Sequence, residues 1–380
     1  MAEILGLGVT HWPTLCLPNE GLTSVFKRTL TAPNVEARYK DRSNWPDELI
    51  AELGNDEGLS AANRCGERFG NDFRAIRKIL DDFNPDLVVI WGDDQYENFR
   101  EDIVPAFCLL GYDADFELRP WHNGNGGKPN RWDEPGDWAL KLHGHREAAK
   151  HLATGLIERG IDMAYAYKPL HDPMAHAFTN TFLYLDWDRK GFPYPAIPFA
   201  INCYGRTLLH AKGGLAHLFQ SPRPADEAED PPAPAPWRCM EVGAAVAEVL
   251  AASPYRAALI ASSSWSHAFL SPKNGYLWPD HEGDRLLFDA VSRADYNTWR
   301  KRSLAEMEYA GQHEMLNWMA LIGAMEALDR RPVVQDYMET YILASDKCFL
   351  SFHLERAGGT SLRGSLASVA NGLTSRDSCG

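Results

Sequence analysis

Short apolar runs alternate along the chain with longer stretches of helical period. Residues 4–9 (ILGLGV) end at Thr10-His11, and residues 87–91 (LVVIW) stop at Gly92 before Asp93-Asp94-Gln95. Apolar runs of this length, bounded by polar or turn residues, predict buried strands. Between them, residues 60–83 carry Phe69, Phe73, Ile76, Ile79, Leu80 and Phe83 at helical spacing, and Asn84-Pro85-Asp86 ends that helix. Further strands are predicted at 104–110, 161–166, 196–202, 256–263, 333–343 and 347–353, and further helices at 143–159, 237–252, 281–292 and 312–328. The alternation predicts one α/β domain over 1–356, with a central mixed sheet flanked by helices and long loop insertions. One insertion is the Gly/Asn/Pro-rich excursion RPWHNGNGGKPNRW (119–132); another is the Pro/acid-rich stretch 221–236. The tail 357–380 has no clear period and is expected to be loosely held. There is no internal repeat, Gly-x-Gly-x-x-Gly or Walker-type loop.

Charge narrows the partners. The chain has 52 acidic against 38 basic residues, a net charge of −14, and no Lys/Arg-rich run. That balance argues against nucleic acid, whose phosphates want a basic stripe. No apolar run reaches the ~18 residues of a membrane span, and the N-terminus lacks the basic and apolar regions of a signal peptide. Seven cysteines stand singly with no C-x-x-C pair, as reduced thiols do. The expectation is a soluble cytoplasmic protein, without nucleic-acid or membrane partners, that assembles as a homo-oligomer.

Five polar sites carry candidate chemistry. His11 follows the first strand, where a histidine can cap backbone groups or bind a ligand. Asp93-Asp94-Gln95 ends the second; an Asx turn accounts for one aspartate, and two carboxylates with an amide exceed what a turn requires. In ASSSWSHAF (261–269), small hydroxyl residues permit a tight turn that delivers His267 to a strand's carboxyl end, where α/β ligands bind. Glu314 shares a helical face with Trp318, Leu321 and Met325, and a carboxylate in an apolar stripe is costly unless a metal, cation or hydrogen bonds compensate it. In LHDPMAHAFTN (170–180), His171 and His176 flank a turn-forming Asp-Pro, and either serves equally well as a structural residue. No G-x-S-x-G elbow accompanies Ser264 or Ser266. The set fits a mononuclear metal held by histidine and carboxylate with open positions.

These segments, in this order, resemble the class III extradiol ring-cleavage dioxygenases over roughly residues 4–330. The resemblance is carried by GVTHWP, NPDLVVIWGDDQYENF, LHDPMAHAFT, AIPFAIN, SSSWSHAF and QHEMLNW. It implies a non-haem Fe(II) site with His11, Gln95 and Glu314 as ligands, O2 as co-substrate and a small aromatic diol as substrate. It further implies that His267 is the acid–base, that His176 bonds a substrate or dioxygen oxygen, and that Tyr96, His171, Trp265 and Tyr204 contact a flat substrate. The product is a ring-opened semialdehyde, formed in aromatic catabolism. One departure stands out: Gln95 occupies the place of a histidine, and an amide oxygen is a weaker Fe(II) donor than imidazole. Asp94, His171 or water are the alternatives for that position. A metal-dependent hydrolase or lyase on the same scaffold, with Zn(II), and a metal-free binding protein are the competing readings.

Overall fold

A computed structural model describes residues 2–112, 115–123, 129–171, 174–224 and 226–352. Asp172-Pro173 and the tail expected at 357–380 lie outside the described residues. Among the described residues there are ten strands: β1 (Ile4–Val9), β2 (Leu87–Gly92), β3 (Phe107–Leu110), β4 (Asp115–Leu118), β5 (Leu140–His143), β6 (Ala164–Ala166), β7 (Ala196–Ile201), β8 (Ala257–Ser262), β9 (Pro332–Met338) and β10 (Lys347–Phe352). Eight form one mixed sheet in the order β6-β3-β7-β2-β8-β1-β10-β9. Its centre, β7-β2-β8-β1, is parallel, and β10 and β9 close one side antiparallel. The expected mixed α/β sheet is therefore what the chain forms.

The four central strands are buried along their whole length, as parallel strands covered on both faces must be. Register aligns Gly8 and Trp91 with Ala261, so these three share a face and Gly92 looks the other way. A side chain on Gly8 would meet Trp318 at 2.2 Å, and one on Gly92 would meet Phe178 at 2.8 Å. Each glycine thus admits an aromatic ring to its own face of the sheet. Helices Met315–Ala327 and Pro236–Ala251 cover the Gly8 face, and helices Leu59–Phe83 and His176–Leu185 cover the other. In helix Leu59–Phe83, Phe69, Phe73, Ile76 and Leu80 are fully buried, the stripe its periodicity predicts.

Several boundaries move for local reasons. The strand expected at 104–110 begins only at Phe107, after Pro105, which has no amide hydrogen for a ladder. The expected 333–343 strand ends at Met338, where the chain turns. β4 and β5, which no apolar pattern predicted, pair as a small antiparallel ribbon. Among the described residues, no disulfide forms between cysteines, and no helix is long and apolar enough to cross a membrane.

Candidate metal and active site

The carboxyl ends of the four parallel strands deliver the site. β1 runs into His11, β2 into Asp93, β8 through a hydroxyl-rich turn into His267, and β7 into Tyr204 three residues on. Glu314 completes it from the N-terminal end of helix Met315–Ala327. Helix His176–Leu185 closes the far side with His176 at its first position.

His11 is buried, and its Nδ1 lies 2.9 Å from the Ser262 carbonyl oxygen. A carbonyl only accepts, so Nδ1 carries the hydrogen and Nε2 faces the site. That Nε2 is 3.3 Å from Glu314 Oε2 and 3.6 Å from Asp93 Oδ1. The imidazole and two carboxylates place one donor atom each within 4.8 Å of one another, all buried. Glu314 divides its oxygens. Oε1 accepts from the Tyr204 hydroxyl at 2.5 Å and the Gln95 amide at 3.1 Å, whereas Oε2 is buried with no hydrogen-bond partner.

Burial lowers the affinity of His11 for a proton, but the facing Glu314 and Asp93 outweigh it and the pKa rises. Burial, then the nearby Glu314, pushes Asp93 up to about 6. Glu314 is also penalised by burial, yet His267 and His11 hold it well below the usual carboxylate range. Two carboxylates buried together favour positive charge between them. An orphaned anionic oxygen, a carboxylate and a free imidazole nitrogen around one point fit a divalent metal ion.

Two more imidazoles border that point. His267 has Nδ1 2.9 Å from the Trp265 carbonyl oxygen and Nε2 3.3 Å from Glu314 Oε1. Its ring packs beside Trp12 (5.2 Å between centroids), and its backbone N–H donates to Gly311 O. His176 meets His11 edge-on at 5.5 Å, and its Nε2 is buried without a hydrogen-bond partner.

The structure therefore brings His11, Gln95, Tyr204, His267 and Glu314 into one site, with His176 at its border. Gln95 turns its amide nitrogen to that site, bonding Asp93, Tyr204 and Glu314. Asp94 is engaged elsewhere: its carboxylate accepts backbone N–H groups of Glu97, Asn98 and Phe99, closing the turn after β2. Three anticipated contacts lie outside. His171 pairs with Asp102 (3.0 Å), the Tyr96 hydroxyl with Glu101 (2.6 Å), and Trp265 is buried among Trp299, Trp318 and Tyr337. Asp93, singled out in the sequence only as part of the Asp93-Asp94-Gln95 cluster, is the member of the His11, Asp93 and Glu314 group that was not expected as a ligand. Alternation was the available signal. Asp93 continues the Trp91 face of β2 toward helix Met315–Ala327, where Asn317 donates to it at 3.2 Å.

No family model matches the chain. Among curated proteins, it is 27% identical over 210 residues to the 2,3-dihydroxyphenylpropionate/2,3-dihydroxicinnamic acid 1,2-dioxygenase of Photorhabdus laumondii, covering 55% of this chain and 52% of that protein. It is 30% identical over 136 residues to an enzyme of the same name, numbered 2, from Pseudomonas putida, covering 36% of each. A Rhodococcus protein of that name is 23% identical over 302 residues, covering 70% of this chain and 84% of that protein. The chain thus spans about half the length of the first of these relatives and about a third of the second. Over these spans the chain is similar to proteins named 2,3-dihydroxyphenylpropionate/2,3-dihydroxicinnamic acid 1,2-dioxygenase.

Proposed function

We propose that this chain is a metal-dependent extradiol dioxygenase that opens the ring of a substituted catechol with O2. The observation that carries the reading is the buried triad His11, Asp93 and Glu314, with one unpartnered carboxylate oxygen and two further imidazoles at its border. The relatives' names, which specify dihydroxylated aromatic acids, support the substrate class.

His11 Nε2, an Asp93 oxygen and Glu314 Oε2 would hold the ion, in the proposal Fe(II). Bound there, Fe(II) supplies the electronic link between a catecholate and O2 that organic side chains lack. Tyr204 and Gln95 occupy Glu314 Oε1, so the carboxylate offers one oxygen only and leaves room for substrate. Asp93, rather than the amide oxygen of Gln95, serves as the third protein donor; Gln95 instead donates to both carboxylates and keeps them oriented. His267, with Nδ1–H on a carbonyl, presents an Nε2 lone pair that takes a phenolic proton and later returns it. His176 presents its Nε2 to an oxygen of the reacting pair. The triad and Trp12 exclude bulk water from this volume.

The test is anaerobic purification and metal analysis, followed by O2 uptake and product absorbance with a panel of catechols that includes 2,3-dihydroxyphenylpropionate. One O2 consumed per ring opened supports the reading. Iron-loaded protein that consumes no O2 with any catechol overturns it.

A further inference from the structure

Glu97 lies outside the metal triad, yet it reaches across 79 positions of sequence to hold His176. Its Oε1 accepts from the His176 backbone N–H at 3.0 Å, and both carboxylate oxygens stand 3.0 Å from His176 Nδ1. An ionised carboxylate cannot donate, so Nδ1 carries the hydrogen. The ring is thereby fixed in rotation, and its other nitrogen, Nε2, is buried with no partner, beside the His11 ring.

The chain makes a specific turn to deliver this contact. Asp94 gathers the N–H groups of Glu97, Asn98 and Phe99, and Tyr96 adopts a φ of 63°, in the left-handed region that a bulky side chain seldom occupies. Such strain persists where surrounding structure enforces it, commonly next to functional groups. The turn sends Gln95 to the metal triad and Glu97 to His176 from neighbouring positions.

We propose that Glu97 is a positioning residue: its carboxylate holds the Nδ1–H of His176 and so fixes the direction of the ring, so that Nε2 meets an oxygen of the bound substrate. The kinetic part of this proposal rests on the dioxygenase reading; the anchoring of Nδ1–H does not. A structural rival exists, because the same carboxylate also accepts from the first N–H of helix His176–Leu185 and would serve that helix as a cap.

A double-mutant cycle separates the two roles. Glu97→Ala should lower kcat on the order of 10–100-fold, the usual loss when a carboxylate orienting a histidine is removed, while metal content holds and KM moves little. In a His176→Ala background, Glu97→Ala should cost nothing further. Glu97→Gln, which retains an oxygen for Nδ1–H, should recover most of the loss and also covers the case of a poorly folding alanine variant. Additive losses in the cycle, or a Gln variant as impaired as Ala, overturn the proposal. If wild-type protein opens no ring, the dioxygenase reading fails and the proposal is judged by 15N NMR of histidine in metal-free protein. A hydrogen-bonded His176 Nδ1–H signal present in wild type and lost in Glu97→Ala supports it; an unchanged spectrum in Glu97→Ala overturns it.

Discussion

Glu314 Oε2 stands 3.3 Å from His11 Nε2, while its sister oxygen is shared between Tyr204 and Gln95. One carboxylate is therefore split into an anchored half and an available half. The anchored half sets the angle at which the available half meets the imidazole. This asymmetry, rather than the mere presence of acidic residues, is what fits the site to the metal ion proposed for it.

Loss of either carboxylate should empty it. Glu314→Gln and Asp93→Asn each preserve shape while removing an anionic donor, so each should weaken divalent-metal affinity by about 10²-fold or more, roughly 3 kcal/mol. Chelator competition measures this, with circular dichroism checking the fold. Wild-type affinity in both variants would remove the triad from consideration.

Gln95→Leu should leave about one metal ion per chain. The residue presents its amide nitrogen, not its oxygen, to the carboxylates, so the substitution removes a hydrogen-bond donor without deleting a ligand. Metal stoichiometry by mass spectrometry checks it, and complete loss of metal would show that the amide oxygen ligates.

Tyr204→Phe should cost about 1.5–3 kcal/mol of stability, the range for a hydrogen bond to a charged group. The hydroxyl is buried against Glu314 Oε1, and nothing else in phenylalanine can satisfy that oxygen. Urea unfolding of metal-free protein measures the change; a variant as stable as wild type would show that Gln95 alone suffices.

Away from the site, Asp72 should set a pH dependence. Burial, then the adjacent Asp336, pushes its pKa up to about 8. A carboxyl that binds its proton more tightly when folded costs nothing at pH below its unfolded value, near 4. The cost grows as pH rises from there and is complete above 8. Asp72→Asn should therefore raise the melting temperature at pH 8.5 and leave it almost unchanged at pH 4. An equal effect at both pH values would contradict the proton linkage.

Much of the fold was legible because burial writes itself plainly into the sequence. The runs of β1 and β2 and the Phe69/Phe73/Ile76/Leu80 stripe are buried as their patterns require. The ribbon β4–β5 was not, since β4 (DFEL) is exposed over most of its length and carries no apolar alternation. Helix His176–Leu185 was hidden for the opposite reason: it is buried nearly all round, which erases helical period. At the site, Glu314 stood out by interrupting an apolar stripe, and His11 and His267 by standing just past the ends of apolar strands. The division of labour between Asp93 and Asp94 did not. Adjacent aspartates look alike until a backbone turn sends one to the triad and the other to its own amides.

The triad draws its three members from residue 11, residue 93 and residue 314 of the chain, joined only where β1, β2 and helix Met315–Ala327 converge. His11 is synthesised long before Glu314, and no contiguous fragment shorter than that span contains all three donors. A nascent or clipped chain would thus offer only scattered donors, and under the proposed function tight metal capture would report that β1, β2 and this helix have come together. In the proposed reading, capture of the ion would therefore wait on the convergence of β1, β2 and helix Met315–Ala327.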